Sequence, residues 1–140
     1  HSNQISFPGG KHEKDDRSYF EAALRETCEE IGVKNADVQL VGQLSKLYIP
    51  VSNFLVHPFV GVMYQRPDFK IDSKEVNRII EIPLSLLRDD SIISSRKIKL
   101  SNGMQLQSPC YIVDEHIVWG ATAMIISEFV TLMKRMKNER

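Results

Sequence analysis

The chain has 140 residues, the size of one domain and too short for two cores of ordinary size. With 42% hydrophobic and 26% charged residues it is neither a disordered tail nor a low-complexity repeat. Lys plus Arg and Asp plus Glu number 18 each, so no whole-chain basic field exists to hold nucleic acid. Apolar runs such as 54–56 and 125–126 are far too short to cross a bilayer. Two cysteines, Cys28 and Cys110, are too few for a disulfide framework and read as reduced thiols of a cytoplasmic protein. The histidines His1, His12, His57 and His116 are scattered, none at zinc spacing.

In chain order, residues 4–7 alternate weakly, like a short strand, and run into the turn signal Pro8-Gly9-Gly10. A polar loop, 11–17, leads to Ser18-Tyr19-Phe20-Glu21, which fits a capping box. Apolar spacing at Phe20, Ala23, Leu24, Thr27, Cys28 and Ile31 predicts one buried stripe of a helix, stopped at Gly32. Residues 38–49 and 54–64 read as two strands joined through 50–53, and 78–82 as another short strand closed by Pro83. A turn or two of helix is expected at 84–87. Residues 97–100 and 104–107 around Asn102-Gly103 predict a hairpin with a type I′ turn, and 111–113 could add a strand. Residues 121–137 form a final amphipathic helix with Met124, Ile125, Phe129, Leu132, Met133 and Met136 inward. Its basic last turn, Lys134, Arg135 and Lys137, suits the helix dipole. Periodicity alone gives one α+β domain.

The first helix carries the distinctive chemistry. Glu26, Glu29 and Glu30 lie within about 100° of one another, roughly opposite the apolar stripe. Such carboxylates repel at i, i+4 and raise one another's pKa. A hard divalent cation, Mg²⁺ or Mn²⁺, relieves both problems. Arg25 can pin Glu29 by an i, i+4 pair. Between Glu13 and Glu30 stand seven acidic residues against Lys14, Arg17 and Arg25, an excess that suggests a metal site. A solvated acidic face is the plainer reading of the same pattern.

The order Phe7-Pro8-Gly9-Gly10, acidic loop, then Arg25-Glu26-Thr27-Cys28-Glu29-Glu30-Ile31-Gly32-Val33 resembles the Nudix box, G-x5-E-x7-R-E-U-x-E-E-x-G-U. Thr27 departs from the aliphatic U, and Asp16 stands at the first Glu with one extra residue before Arg25. That spacing resembles the coenzyme A pyrophosphatase branch, with F-P-G-G-K-x-D-x-x-D before the helix; here Glu13 replaces an Asp. The opening His1-Ser2-Asn3-Gln4-Ile5-Ser6 is similar to that branch's H-x-G-Q-V-x, with Asn3 for Gly. Trp119-Gly120-Ala121-Thr122-Ala123 resembles its W-G-x-T-A.

The resemblance implies a Nudix-type α/β/α sandwich with a mixed sheet. It also implies hydrolysis of a nucleoside diphosphate linked to another group, with Mg²⁺ or Mn²⁺ as cofactor. Glu29 and Glu30 would be ligands, Glu26 a further ligand or a water-orienting base, and the Gly10 carbonyl an additional ligand. A carboxylate from outside the box is expected at Glu75 or Glu81, with Glu75 preferred because a loop can turn into a cleft. Lys11, Tyr48 and Asn53 are candidates for substrate contact, although the 48–54 stretch also reads as a rigid turn. The expected substrate is coenzyme A or a thioester of it, giving adenosine 3′,5′-bisphosphate and 4′-phosphopantetheine. ADP-ribose or another dinucleotide is the alternative, and a nucleotide-sensing domain without catalysis is a third reading. No nucleic-acid or membrane partner is expected, and a homodimer is left open. In that branch further residues precede the Phe-Pro-Gly-Gly stretch, so 1–140 reads as a single Nudix domain lacking its N-terminal part.

Overall fold

Ser18 starts the first helix, α1 (Tyr19–Ile31), by accepting the Glu21 N–H on its hydroxyl at 3.1 Å in a computed structural model that describes residues 4–138. Gly32, at φ +75°, ends the helix in the left-handed region and donates its N–H to Cys28 O at 2.9 Å. The helix thus stops where its capping residues predict. The described residues fall into two compact units, 7–80 and 4–6 with 81–138. The His1-Ser2-Asn3 part of the opening motif lies outside the described residues.

In the 7–80 unit, each expected long strand divides in two. β1 (Gln39–Gln43) pairs antiparallel with β4 (Phe59–Val62), with an irregularity between Leu40 and Gly42. β2 (Leu47–Ile49) pairs antiparallel with β3 (Phe54–Val56). Pro58 explains part of the division: it has no N–H for a ladder, and its carbonyl takes the Leu44 N–H at 2.9 Å. α1 meets this unit through Phe20, whose ring lies 5.4 Å from that of Phe59. Ala22 is its buried residue, while Cys28, expected inward, is exposed.

Residues 4–7 and 78–82, each divided between the two units, form no strand. Ile5 instead offers its carbonyl to the Thr122 hydroxyl at 2.9 Å. α2 (Leu84–Leu87) is one short turn. β5 (Ile93–Lys99), β6 (Gln105–Val113) and β7 (His116–Val118) form one antiparallel sheet. Residues 111–113 are therefore the end of β6, not a separate strand. The hairpin turn is not type I′, which needs positive φ at both central residues. Only Gly103, at +86°, has it in this turn. Leu100 N–H reaches Met104 O at 2.7 Å and Gly103 N–H reaches Leu100 O at 3.0 Å, making a three-residue loop.

α3 (Gly120–Asn138) covers this sheet. Its inward stripe is Ala123, Ile126, Val130 and Met133, packed with Tyr111, Val113 and Val118. Met124, Leu132 and Met136 are exposed, contrary to expectation. The helix has more apolar residues than one face can hold, so periodicity does not fix its rotation. Burying Val118 completely stabilises the unit by roughly 1.5–2 kcal/mol.

The α+β class is as the sequence predicts. The pairing is simpler than a mixed sheet: among the described residues all ladders are antiparallel. β2–β3, β5–β6 and β6–β7 are neighbours in sequence joined by short connections, and β1 and β4 are brought together antiparallel with the β2–β3 pair between them in the chain. No described helix is long and apolar enough to cross a membrane.

Candidate functional site

Ala22, Glu26 and Glu30 share one face of α1 at i, i+4 and i+8. Ala22 is buried and the two glutamates are half-buried, whereas Glu29 stands exposed. The three carboxylates therefore do not face solvent together, as the helical wheel predicts. The difference comes from the glycine loop, which folds onto this face. Gly9 N–H donates to Glu30 Oε2 at 2.9 Å. A Cβ on Gly10 would lie 2.5 Å from the Glu26 carboxyl carbon, so only glycine allows this approach.

Glu75 completes the cluster from the loop following residues 70–72. One carboxylate oxygen each from Glu26, Glu30 and Glu75 lies within 4.8 Å of the others. Burial pushes the Glu30 carboxyl above its ordinary range, the Gly9 N–H opposes the shift, and the charges of Glu26, Glu75 and Glu29 add to it. Three converging oxygen donors with mutual repulsion fit a hard divalent cation. Glu29 is not in this group.

Arg25 organises the other carboxylates. Its Nε and Nη2 make two parallel bonds to Asp16, at 3.0 and 3.1 Å. Its Nη1 donates to Glu26 Oε1 at 2.9 Å and lies 3.3 and 3.4 Å from the Glu29 oxygens. Nη2 also donates to the Lys11 carbonyl at 3.0 Å, tying the loop to the helix. The expected Arg25–Glu29 pair is present as the longest of these contacts. The bond to Arg25 holds the Asp16 carboxyl below its ordinary range, and Asp16 raises the guanidinium in turn.

Of the substrate candidates, Lys11 places its ammonium 5.3 Å from the centre of the Phe54 ring. The Tyr48 hydroxyl donates to Asn53 Oδ1 at 2.7 Å, and Asn53 sits at φ +57°. The 48–54 stretch is thus a braced turn, and its polar groups are partly engaged with each other. Glu81 belongs to the other unit. Trp119 lines a shallow hollow there with Ile5, Ile98 and Ile117. Sequence reasoning missed the Gly9 N–H and the anchoring role of Asp16; the place of Asp16 at the box Glu was the available signal for the second.

Residues 1–82 match the family model described as NUDIX domain. Among curated proteins, the chain is similar to an uncharacterized Nudix hydrolase NudL of Photorhabdus laumondii, 35% identical over 129 residues, covering 91% of this chain and 67% of that one. Its counterpart in Pectobacterium atrosepticum is 36% identical over 131 residues, covering 91% and 66%. That of Yersinia enterocolitica is 34% identical over 129 residues, covering 90% and 64%. The chain spans about two thirds of the length of these relatives.

Proposed function

Because the chain belongs to the Nudix family, we propose that it is a divalent-cation-dependent pyrophosphatase that hydrolyses the diphosphate bridge of coenzyme A or its thioesters. Water adds across the P–O–P link, giving adenosine 3′,5′-bisphosphate and a 4′-phosphopantetheine product. The observation that carries the hydrolytic reading is the convergence of Glu26, Glu30 and Glu75 beneath the Gly9-Gly10 loop. The choice of coenzyme A rests on the Phe7-Pro8-Gly9-Gly10-Lys11 and Trp119–Ala123 motifs.

Glu26, Glu30 and Glu75 would hold Mg²⁺ or Mn²⁺, with the Gly10 carbonyl as a further oxygen donor. Bound there, such a cation neutralises diphosphate oxygens that otherwise repel the incoming water. Gly9 N–H fixes the orientation of Glu30, and Arg25 fixes that of Glu26. Glu29, exposed and held by the longest Arg25 contacts, would serve as a further oxygen donor or orient water. Lys11 supplies a positive charge for a phosphate oxygen, and Tyr48 with Asn53 an aromatic face and an amide for the rest of the substrate.

The test is incubation of the chain with coenzyme A, its 3′-dephospho form and ADP-ribose, each with Mg²⁺ and with Mn²⁺, and identification of products by mass. Coenzyme A should be cut within its diphosphate and used better than the dephospho form. Faster cleavage of ADP-ribose would sink the coenzyme A assignment. No cleavage of any diphosphate would sink the hydrolase reading as well.

A further inference from the structure

The cluster draws its third carboxylate from a loop, and one residue links that loop to the helix. Asp72 donates its N–H to Glu30 O at 3.0 Å. Its own carbonyl accepts the Glu75 N–H at 3.1 Å and the Val76 N–H at 2.9 Å. Its side chain closes the turn, Oδ1 accepting the Lys74 N–H at 3.1 Å. A single residue therefore connects the backbones of Glu30 and Glu75, two of the three cluster members.

The docking site for this strap is the end of α1, whose last carbonyls need partners. Lys70 N–H takes Ile31 O at 2.9 Å, one step before Asp72 takes Glu30 O. Gly32 makes room: a Cβ there would come within 2.8–3.0 Å of Lys70 Cβ, N and O. The left-handed cap that ends the helix is thus also the gap through which the strap reaches it.

We propose that Asp72 is a positioning residue: its turn sets Glu75 against Glu26 and Glu30, and cation affinity depends on its side-chain acceptor. This rests on the metal reading above. Glu75 is exposed and its carboxylate has no hydrogen-bond or ion-pair partner among the described residues, so the turn is what limits where it goes. Loss of the Asp72 acceptor should loosen the turn and leave the fold in place.

The test measures Mn²⁺ affinity of the chain by electron paramagnetic resonance, which needs no turnover. Asp72→Ala should weaken binding about fivefold, the scale of one lost hydrogen bond. Asp72→Asn keeps the acceptor and loses the charge, and should stay within about twofold of the parent. In the Asp72→Ala background, Glu75→Gln should add much less than it does alone. Amide exchange of the parent gives a readout without mutation: the Asp72, Lys74 and Glu75 N–H groups should be protected. Unchanged affinity in Asp72→Ala would overturn the proposal. So would equal losses in Ala and Asn, which would make the charge responsible, or unprotected amides. A parent chain that binds no Mn²⁺ would overturn the metal reading first, and the proposal with it.

Discussion

Glu30→Gln separates repulsion from ligation. Gln has nearly the same shape and can still accept the Gly9 N–H, now seen by Glu30 Oε2 at 2.9 Å. What it removes is a charge with like-charged oxygens of Glu26 and Glu75 within 4.8 Å. At that distance one pair costs roughly 0.9 kcal/mol in water and about 3.5 kcal/mol at an effective dielectric near 20. Glu30 is only half-buried, so the lower figure is the better guide. Two neighbours make the relief roughly 1–2 kcal/mol. The Gly9 bond loses its charged acceptor, which costs about 1 kcal/mol. The net effect on the metal-free fold is therefore a gain of about 0–1 kcal/mol, a rise of up to about 5 °C in Tm. With Mn²⁺ the order reverses: the parent gains about 2.7 kcal/mol at a hundredfold excess over Kd, and the variant much less. Turnover should fall at least about a hundredfold. Thermal melts of both proteins, in EDTA and across a Mn²⁺ titration, give the answer. A variant that melts well below its parent in EDTA, or that gains as much from Mn²⁺, would refute the reasoning.

Gly10→Ala should leave Tm in EDTA nearly unchanged, because the Glu26 side chain can swing away from the new Cβ. It should weaken Mn²⁺ binding by about tenfold, since the swing moves a ligand. Gly32→Ala places a side chain at φ +75° against the Lys70 backbone, and denaturant titration should show a loss of about 2 kcal/mol or more. Arg25→Lys cannot reproduce the paired bonds to Asp16 together with the Lys11 carbonyl, and should lower the midpoint of a thermal melt. Asp16 gives the acid limb of stability. Its folded pKa lies below the ordinary 3.8, so its contribution is complete above that value and disappears as pH falls through the folded one. Asp16→Asn should melt lower at pH 7 and show a shallower decline as pH falls below about 4 in a series of thermal scans; an unchanged slope would show that Asp16 carries none of the acid limb.

Local signals were the legible ones. Ser18 and Gly32 bound α1 by backbone chemistry that involves only a few neighbours, and so the helix ends where the residues say. Asn102-Gly103 marks a hairpin, but dipeptide identity does not say which residue takes positive φ, and the loop is one residue longer than a type I′ turn allows. β7 is three residues long, below what alternation can detect. The rotation of α3 was lost for the opposite reason, an excess of apolar residues. In the site, spacing pointed to Glu26, Glu29 and Glu30 alike, whereas the structure brings Glu26 and Glu30 together with Glu75 and leaves Glu29 apart, because a helical wheel knows nothing of the loop folded over one side. Glu75 was legible only as a carboxylate near a turn. What brings it in is a set of backbone bonds from residues 70 and 72 to α1, and backbone bonds leave little trace in residue type.

The acidic residues around α1 are divided between two kinds of partner. Arg25 is a fixed cation whose planar fork matches carboxylate geometry. It takes Asp16 by two bonds, touches Glu29, and through the Lys11 carbonyl holds the glycine loop against the helix. Glu30 receives only a neutral N–H from that same loop, which does not offset its burial and the neighbouring carboxylates, so its carboxyl stays pushed up. Glu26 stands between, bonded to Arg25 at 2.9 Å and close to Glu30 and Glu75. An arginine placed at Glu30 would quench the repulsion permanently and leave no affinity for an added ion. Keeping the guanidinium one helical step away lets it build the loop while the inner carboxylates remain electrostatically unsatisfied. That residual charge, held from one side by Arg25 and the glycine loop and, on the inference above, from the other by the strap at Asp72, is what would give a divalent cation a reason to bind.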